Sequence, residues 1–291
     1  MPPTYPDTRP AASSAPPELI QAACGVADFI ETHAPLFVLT GAGCSTASGI
    51  PDYRDDNGDW KHSKPVQYTD FVNCEHTRRR YWARSLSGWP RVARSRPNPA
   101  HMALAALERA GLVTMLCTQN VDTLHQKAGS TTVIDLHGRL DGVECLQCDA
   151  RYSRTLIQER LLSLNPAFSV ADAGAAPDGD AMLEGGFDDF TVAGCDHCGG
   201  TLKPSVVFFG ENVPAARVAR ATRALEQSGG LLVVGSSLML YSGYRFCRMA
   251  AQWARPAAAI NRGRTRADAM LELKVAADCG RVLEEVERLL I

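Results

Sequence analysis

Residues 41–54 read GAGCSTASGIPDYR and follow directly on the apolar run Leu36-Phe37-Val38-Leu39. A short apolar strand closed by a glycine-rich turn belongs to a buried sheet whose loops gather at one end, and such a turn can offer bare backbone amides to a phosphate. Gly41 and Gly43 carry no Cβ to obstruct that approach, while Ser45, Asp52, Tyr53 and Arg54 add more polar chemistry than a phosphate cradle needs. Taken alone the turn is equally compatible with a plain strand-to-helix connection. It also departs from the dehydrogenase fingerprint. Thr46 stands where the third glycine would fall, and the polar stretch from Asp55 supplies no second strand ending in an acid, which argues against hydride transfer.

The chain of 291 residues, with 45% hydrophobic and 21% charged residues, has the composition of a globular protein large enough for one elaborated domain or two. A net charge of −2 provides no general field for nucleic acid or anionic lipid. The local cluster Arg78, Arg79, Arg80, Arg84, Arg91, Arg94 and Arg96 reads mainly as a solvated helix face. No apolar run approaches the roughly twenty residues needed to span a bilayer, so no membrane partner is expected. Residues 1–17, rich in Pro, Ala and Ser, lack the apolar core of a signal peptide and read as a flexible tail. Of ten cysteines, four fall into CxxC pairs, which favours metal in a reducing compartment and makes cytoplasm the expected location.

Helical spacing runs from Pro17 to Glu31 and over residues 66–90, and Pro97-Asn98-Pro99 starts an amphipathic helix, His101–Arg109, that stops at Gly111. Strands are expected at Leu36–Leu39, Leu112–Thr118, Val133–Leu136, Val206–Phe209 and Leu231–Val234. Strands alternating with helices, each ending in polar residues, describe a doubly wound parallel α/β sheet with its ligand in the crevice at the strands' carboxyl ends. Between Asp141 and Lys203 the rhythm stops. That stretch holds both CxxC pairs, a Leu-rich helix near Leu156–Leu164 and an expected exposed loop from Ala171 to Asp180, and it reads as an inserted module.

Cys145-x-x-Cys148 and Cys195-x-x-Cys198 each set two thiolates on a tight turn, half of a tetrahedral zinc site. Four cysteines leave no open coordination position, so this zinc is expected to be structural, with His197 a solvent-facing turn residue. Thr118-Gln119-Asn120-Val121-Asp122 places amides and a carboxylate just after a strand, groups suited to a ribose or carboxamide or simply to capping a helix. His137 ends another strand before a glycine, where an imidazole can take a proton from a hydroxyl. His101 and His125 read as packing or capping residues.

In this order GAGCSTASGIPDYR, TQNVDTLH at 118–125, LHG at 136–138, the paired CxxC, KPSVVFFGE at 203–211, GSSL at 235–238 and Ile260-Asn261 resemble the sirtuins, NAD-dependent protein-lysine deacylases, from about residue 20 to the end. VVFFGE with VGSSLMLYSGYRF resembles their class II branch. The resemblance implies a Rossmann-like NAD-binding core over 18–55, 99–138 and 205–291, a helical module over 56–98 and a zinc module over 139–204. It implies that nicotinamide leaves as the acyl oxygen attacks the anomeric carbon, that His137 then acts as base on the ribose hydroxyls, and that O-acyl-ADP-ribose is released. It places Ala42, Asp52, Tyr53, Arg54, Gln119, Asn120 and Asp122 around the nicotinamide ribose, with Gly41, Gly43, Ser45, Thr118 and Val121 in the same segments. Gly235, Ser236, Asn261 and Cys279, with Ser237, Arg262 and Gly263 beside them, would hold the adenosine half.

The partner implied is an acylated lysine on a protein, entering as an extended strand between Phe209-Gly210-Glu211 and Leu238-Met239-Leu240. Tyr53 stands where a Phe is common and Asp55-Asp56 where a Gly is, so the loop over the nicotinamide pocket is expected to behave differently. Tyr81 and Arg84 have the Tyr-x-x-Arg spacing by which some sirtuins recognise carboxylated acyl groups, and as an i, i+3 pair they share a helix face. Arg84 is equally compatible with the solvated basic face. Protein mono-ADP-ribosyl transfer needs the same NAD site and is the alternative activity; a non-catalytic NAD-binding module has no need of His137.

Overall fold

The computed structural model describes residues 15–61, 65–168, 185 and 187–291. Of the expected tail over 1–17, residues 1–14 lie outside the described residues, as does the loop 171–180, while Pro17 already opens the first helix. In chain order the elements are α1 (Pro17–His33), β1 (Leu36–Thr40), α2 (Tyr68–Asn73), α3 (Glu75–Arg94), α4 (Pro99–Arg109), β2 (Val113–Thr118), α5 (Leu124–Lys127) and β3 (Val133–Asp135). They continue with β4 (Gly138–Cys145), β5 (Arg151–Ser153), α6 (Arg154–Leu164), β6 (Leu202–Val206), α7 (Ala215–Gln227), β7 (Gly230–Val234), α8 (Tyr241–Gln252), β8 (Ala257–Ile260), β9 (Leu273–Val275) and α9 (Cys279–Leu290).

Six strands form a parallel sheet in the order β3-β2-β1-β7-β8-β9. The central strands β1, β7 and β8 are buried along their whole length, which explains their near-continuous apolar sequence. Alternate residues serve opposite faces. Leu36, Val38, Leu232, Val234, Ala258 and Ile260 pack with α1, α4 and α9, whereas Phe37, Leu39, Leu231, Val233 and Ala259 pack with α7 and α8. Truncating a residue such as Leu232 would cost about 2–5 kcal/mol.

The second body is a three-stranded antiparallel sheet, β5-β4-β6, whose apolar face meets α2, α3 and α6 in one shared core that includes Phe71, Tyr81, Trp82, Leu86, Val143, Ile157 and Leu161. Two expectations need correction here. The run Val206–Phe209 is not a strand of the parallel sheet: its strand ends at Val206 and pairs with β4. Phe208 instead inserts beside Phe71 and Tyr81, with ring centroids 5.0 and 5.2 Å away. Being an edge strand, β6 can also carry Pro204 without losing a ladder bond.

The helix expected over 66–90 is two helices, broken where Cys74 turns extended at φ −119° and ψ 114°. The second continues through Pro90 to Arg94. A proline in a helix deprives the carbonyl four residues earlier of its donor, and here Gln158 Nε2 donates to that carbonyl, Leu86 O, at 2.8 Å. The insert thus completes the helix it packs on.

Candidate active site

The topology reverses at β1, whose neighbours are β2 and β7, so the crevice opens where the carboxyl ends of these strands diverge. Chain emerges there into the turn at Gly41, into Gln119-Asn120 after β2, His137 after β3, Gly235-Ser236 after β7 and Asn261 after β8. The glycines have a packing task beside the one expected. Gly43 N–H donates to Gly235 O at 2.8 Å and Gly41 N–H to Val234 O at 3.0 Å, so neither amide is bare. A Cβ on Gly41 would stand 2.7 Å from Ser236 Cβ, and one on Gly43 2.9 Å from Gly235 O. Two loops pressed backbone to backbone demand these glycines, and Gly235 itself sits at φ 60°.

The polar residues after β2 lock the neighbouring loops. Gln119 Nε2 donates to Ser236 Oγ at 2.8 Å, and Asn120 Nδ2 donates to Gly41 O and Ser45 Oγ, each at 3.0 Å. Ser45 Oγ donates in turn to Asp122 Oδ2 at 2.7 Å, while Asp122 Oδ1 accepts from Leu124 N–H at 2.9 Å, the capping role also weighed for it. Burial pushes the Asp122 carboxyl up. Thr118 is buried and takes hydrogen bonds from Thr40 and the Asn120 amide.

His137 Nδ1 lies 2.9 Å from Gln119 O, which has no proton to give, so Nδ1–H donates and Nε2 keeps the lone pair. Ser242 Oγ is 2.9 Å from Nε2 and donates to it. Burial holds the imidazole near pKa 4, against the opposing pull of the Gln119 contact, so the ring is a neutral base at neutral pH.

His137, Asn120, Gln119, Ala42, Tyr53, Phe209 and Leu240 form a wall shared by two cavities. The larger, about 520 Å³, is lined by Gly41, Gly43, Asp52, Arg54, Gly235, Ser236, Ser237, Leu238, Met239, Asn261, Arg262, Gly263 and Cys279 among others. The smaller, about 240 Å³, is mainly apolar and is lined by Ser45, Ile50, Tyr81, Val121, Asp122, Val206, Phe208, Gly210, Glu211 and Ser242 among others. Tyr81 therefore reaches the chamber, and Arg84, half-buried on the same helix, lines neither cavity. Tyr53, Trp60 and Phe209 cluster at 5.7–6.1 Å between centroids, with the Arg54 guanidinium 4.0 Å over Trp60 and the Asp52 carboxylate bonded to Lys61 at 2.6 Å.

The four CxxC sulfurs converge. Cys145 Sγ is 3.5 Å from Cys198 Sγ, Cys148 Sγ is 3.6 Å from Cys195 Sγ, and all four lie within 4.8 Å of one another. Zinc–sulfur bonds of about 2.3 Å give tetrahedral edges of about 3.8 Å, so the set fits zinc. Gln147 N–H points at Cys145 Sγ at 3.4 Å, and Tyr152 Oη, 3.1 Å from Cys195 Sγ, lowers that thiol to about pKa 6. His197 is exposed at the tip.

Sequence reasoning missed Ser242, whose role depends on how α8 docks, and Gly243, where a Cβ would meet Gln119 Oε1 at 2.5 Å. It also missed Lys203, a fully buried lysine that donates to Val206 O at 2.7 Å and pairs with Glu211 at 3.3 Å, fixing the Phe208–Glu211 turn. A lysine inside an apolar strand was the available signal.

A crevice at the switch point of a parallel sheet, with a half-buried neutral histidine on its wall and a four-cysteine centre alongside, defines a dinucleotide-binding α/β enzyme carrying structural zinc. The chain belongs to the Sir2 family, whose family model matches residues 41–242. It is 59% identical over 259 residues to the NAD-dependent protein deacetylase of Bordetella bronchiseptica, covering 89% of this chain and 94% of that one. Among solved structures, one on the mechanism and regulation of Sir2 enzymes superposes with a TM-score of 0.73 at 30% identity, covering 92% of this chain and 99% of the other. A complex of Sir2 with a p53 peptide and NAD+ gives 0.72 at 28%, covering 91% and 96%.

Proposed function

We propose that this chain is an NAD-dependent protein-lysine deacylase that releases nicotinamide and O-acyl-ADP-ribose, with His137 as general base. The observation that carries the reading is the fixed tautomer of His137 on the wall between the two cavities. The names of its relatives, protein deacetylases and Sir2 with peptide and NAD+, support it. Bound NAD supplies an electrophilic ribose carbon with nicotinamide as leaving group.

In this reading the larger cavity holds the ADP-ribose half through Gly235, Ser236, Asn261 and Cys279, and the Asn120–Asp122 end of the smaller one holds the nicotinamide. The acyl-lysine enters beside Phe209, Gly210 and Glu211 on one side and Leu238 and Met239 on the other. His137 Nε2 then exchanges its Ser242 hydrogen bond for a ribose hydroxyl and takes its proton. The apolar lining supports an uncharged acyl group; a carboxylated one requires Arg84 to swing inward. The core over 18–55, 99–138 and 205–291 binds NAD, with a helical module over 56–98 and a zinc module over 139–204, and NAD and acyl-lysine enter between them. Thiolate ligands for zinc favour the reducing cytoplasm as the location.

Mass spectrometry of the purified protein with NAD and acetyl-, long-acyl-, lipoyl- and glutaryl-lysine peptides tests the reading. O-acyl-ADP-ribose is the expected product. NAD consumption with ADP-ribose appearing on protein and no peptide deacylated would overturn it.

A further inference from the structure

Behind the glycine-rich turn, three side chains that the proposed reaction does not use come together. Cys44, His101 and His125 are 1%, 0% and 1% exposed, and one potential ligand atom from each lies within 4.8 Å of the others. The two rings stand 4.7 Å apart. His125 Nε2 is 2.9 Å from Thr40 Oγ1, and Thr40 gives its own proton to Thr118 Oγ1 at 2.8 Å, so Nε2–H donates and the lone pair sits on Nδ1. That Nδ1 is buried and has no hydrogen-bond partner among the described residues. An imidazole lone pair stranded in an apolar interior costs free energy unless something fills it.

We propose that Cys44, His101 and His125 form a second metal site, for a thiophilic d¹⁰ cation such as Zn²⁺ or Cu⁺, and that its occupancy arrests turnover by locking the glycine-rich turn. One sulfur and two imidazoles suit such an ion and reject hard cations, which want oxygen. Both rings are held neutral by burial, His101 near pKa 4, so protons do not compete for their nitrogens at neutral pH. Cys44 is a thiol, kept protonated by its hydrogen bond to Cys279 and by burial. Binding therefore forms a metal–thiolate bond, breaks the S–H bond and releases one proton to solvent. Cys279 lines the larger cavity and is hydrogen-bonded to the Cys44 thiol, which links the cluster to that cavity.

The coupling to the turn is direct. His101 Nε2 lies 3.5 Å from Ser45 Oγ, and its Nδ1 accepts from Asn98 N–H at 3.3 Å, while Asn98 Nδ2 donates to Cys44 O at 2.8 Å. Coordination through His101 Nε2 moves that ring's proton to Nδ1 and gives up the long Asn98 contact, while a bound ion ties Cys44 of the turn directly to His101 of α4 and so holds the turn in place. Ser45 sits between this cluster and Asp122 in the smaller cavity, which is how a bound ion reaches the proposed reaction.

The site itself is independent of the deacylase reading, whereas the arrest of turnover rests on it. Protein holding one zinc at its four cysteines is titrated, anaerobically and in separate arms, with Zn²⁺ and with Cu⁺, and metal per chain is counted after gel filtration. A second equivalent is expected in at least one arm, with proton release, and it is lost in Cys44→Ala and in His125→Asn while the first is kept. NAD turnover falls as the second equivalent fills in the wild type and holds steady in Cys44→Ala at the same ion concentration. No second equivalent in either arm, or one retained in Cys44→Ala, overturns the site. Turnover unchanged at full occupancy overturns the arrest alone, and metal counts stand whether or not any peptide is deacylated.

Discussion

A catalytic base must be unprotonated at working pH and have its lone pair aimed at the reactant, and His137 meets both conditions through its surroundings rather than its identity. The Gln119 carbonyl fixes the tautomer, and burial keeps the ring near pKa 4. His137→Ala is expected to abolish deacylation while leaving NAD affinity within about tenfold, measured by calorimetry beside turnover. With the ring neutral, kcat/KM should show no titration attributable to His137 between pH 5 and 8, and a half-point near 6.5 would contradict the assignment. Ser242→Ala removes a donor to the neutral lone pair, so the acid limb should move to higher pH. His137 was legible because it ends a strand before a glycine; Ser242 was not, since its hydroxyl acquires meaning only once α8 is docked. Arg84 shows the converse: i, i+3 spacing places it on the face of Tyr81, yet only Tyr81 reaches the cavity. Arg84→Met should therefore leave the ratio of deacetylation to deglutarylation unchanged within about twofold, and a selective loss on glutaryl peptides would restore the carboxylate reading.

Among the elements, the continuous apolar runs of β1 and β7 made the parallel sheet readable, because strands buried on both faces are apolar throughout, whereas β8, mostly alanine, and the three-residue β9 went unread. The small sheet was harder. Its strand β6 carries a buried Lys203 and Pro204, and its continuation Phe208 looks like strand but fills the space beneath α2 and α3. Helix α3 runs through Pro90 because Gln158, far off in sequence, takes up the freed Leu86 carbonyl. These long-range contacts join the four-cysteine centre to the helices above it. Arg154, wholly buried, donates to Ser85 O at 3.1 Å and packs against Trp82 and Trp89 at 5.5 and 5.3 Å. Zinc removal by a chelator, or Cys195→Ala, should thus release α3 along with the small sheet. Near-ultraviolet circular dichroism of Trp82 and Trp89 would collapse while far-ultraviolet signal from the six-stranded sheet persists. A near-ultraviolet signal unchanged in zinc-free protein would show that the shared apolar core suffices.

At the scale of the whole molecule, the doubly wound order placed the cleft before any side chain was considered, and it also set three histidines beside that cleft, His101 and His125 buried and His137 half-buried. His101 and His137 are held near pKa 4, and His125 well below the usual histidine range, each chiefly by burial. An unfolded chain has histidines near 6.5, so between about pH 6.5 and 4 it binds protons that the native state refuses. Stability therefore rises with pH across that window and is lost as pH falls. For His101 alone, the shift from 6.5 to about 4 removes on the order of 2 kcal/mol between pH 7 and pH 5. His137 contributes in the same direction and of the same order, and His125 adds to both. Asp122 and Asp135, whose carboxyls burial raises, oppose the trend as they take up protons in the native state. Against a total of about 5–15 kcal/mol for a typical domain, the histidines should dominate acid sensitivity. Urea unfolding at pH 7 and pH 5 should show the midpoint falling in the wild type and falling less in His101→Gln. Equal losses in the two proteins would mean that protonation of this ring in the native state is not what acid resists.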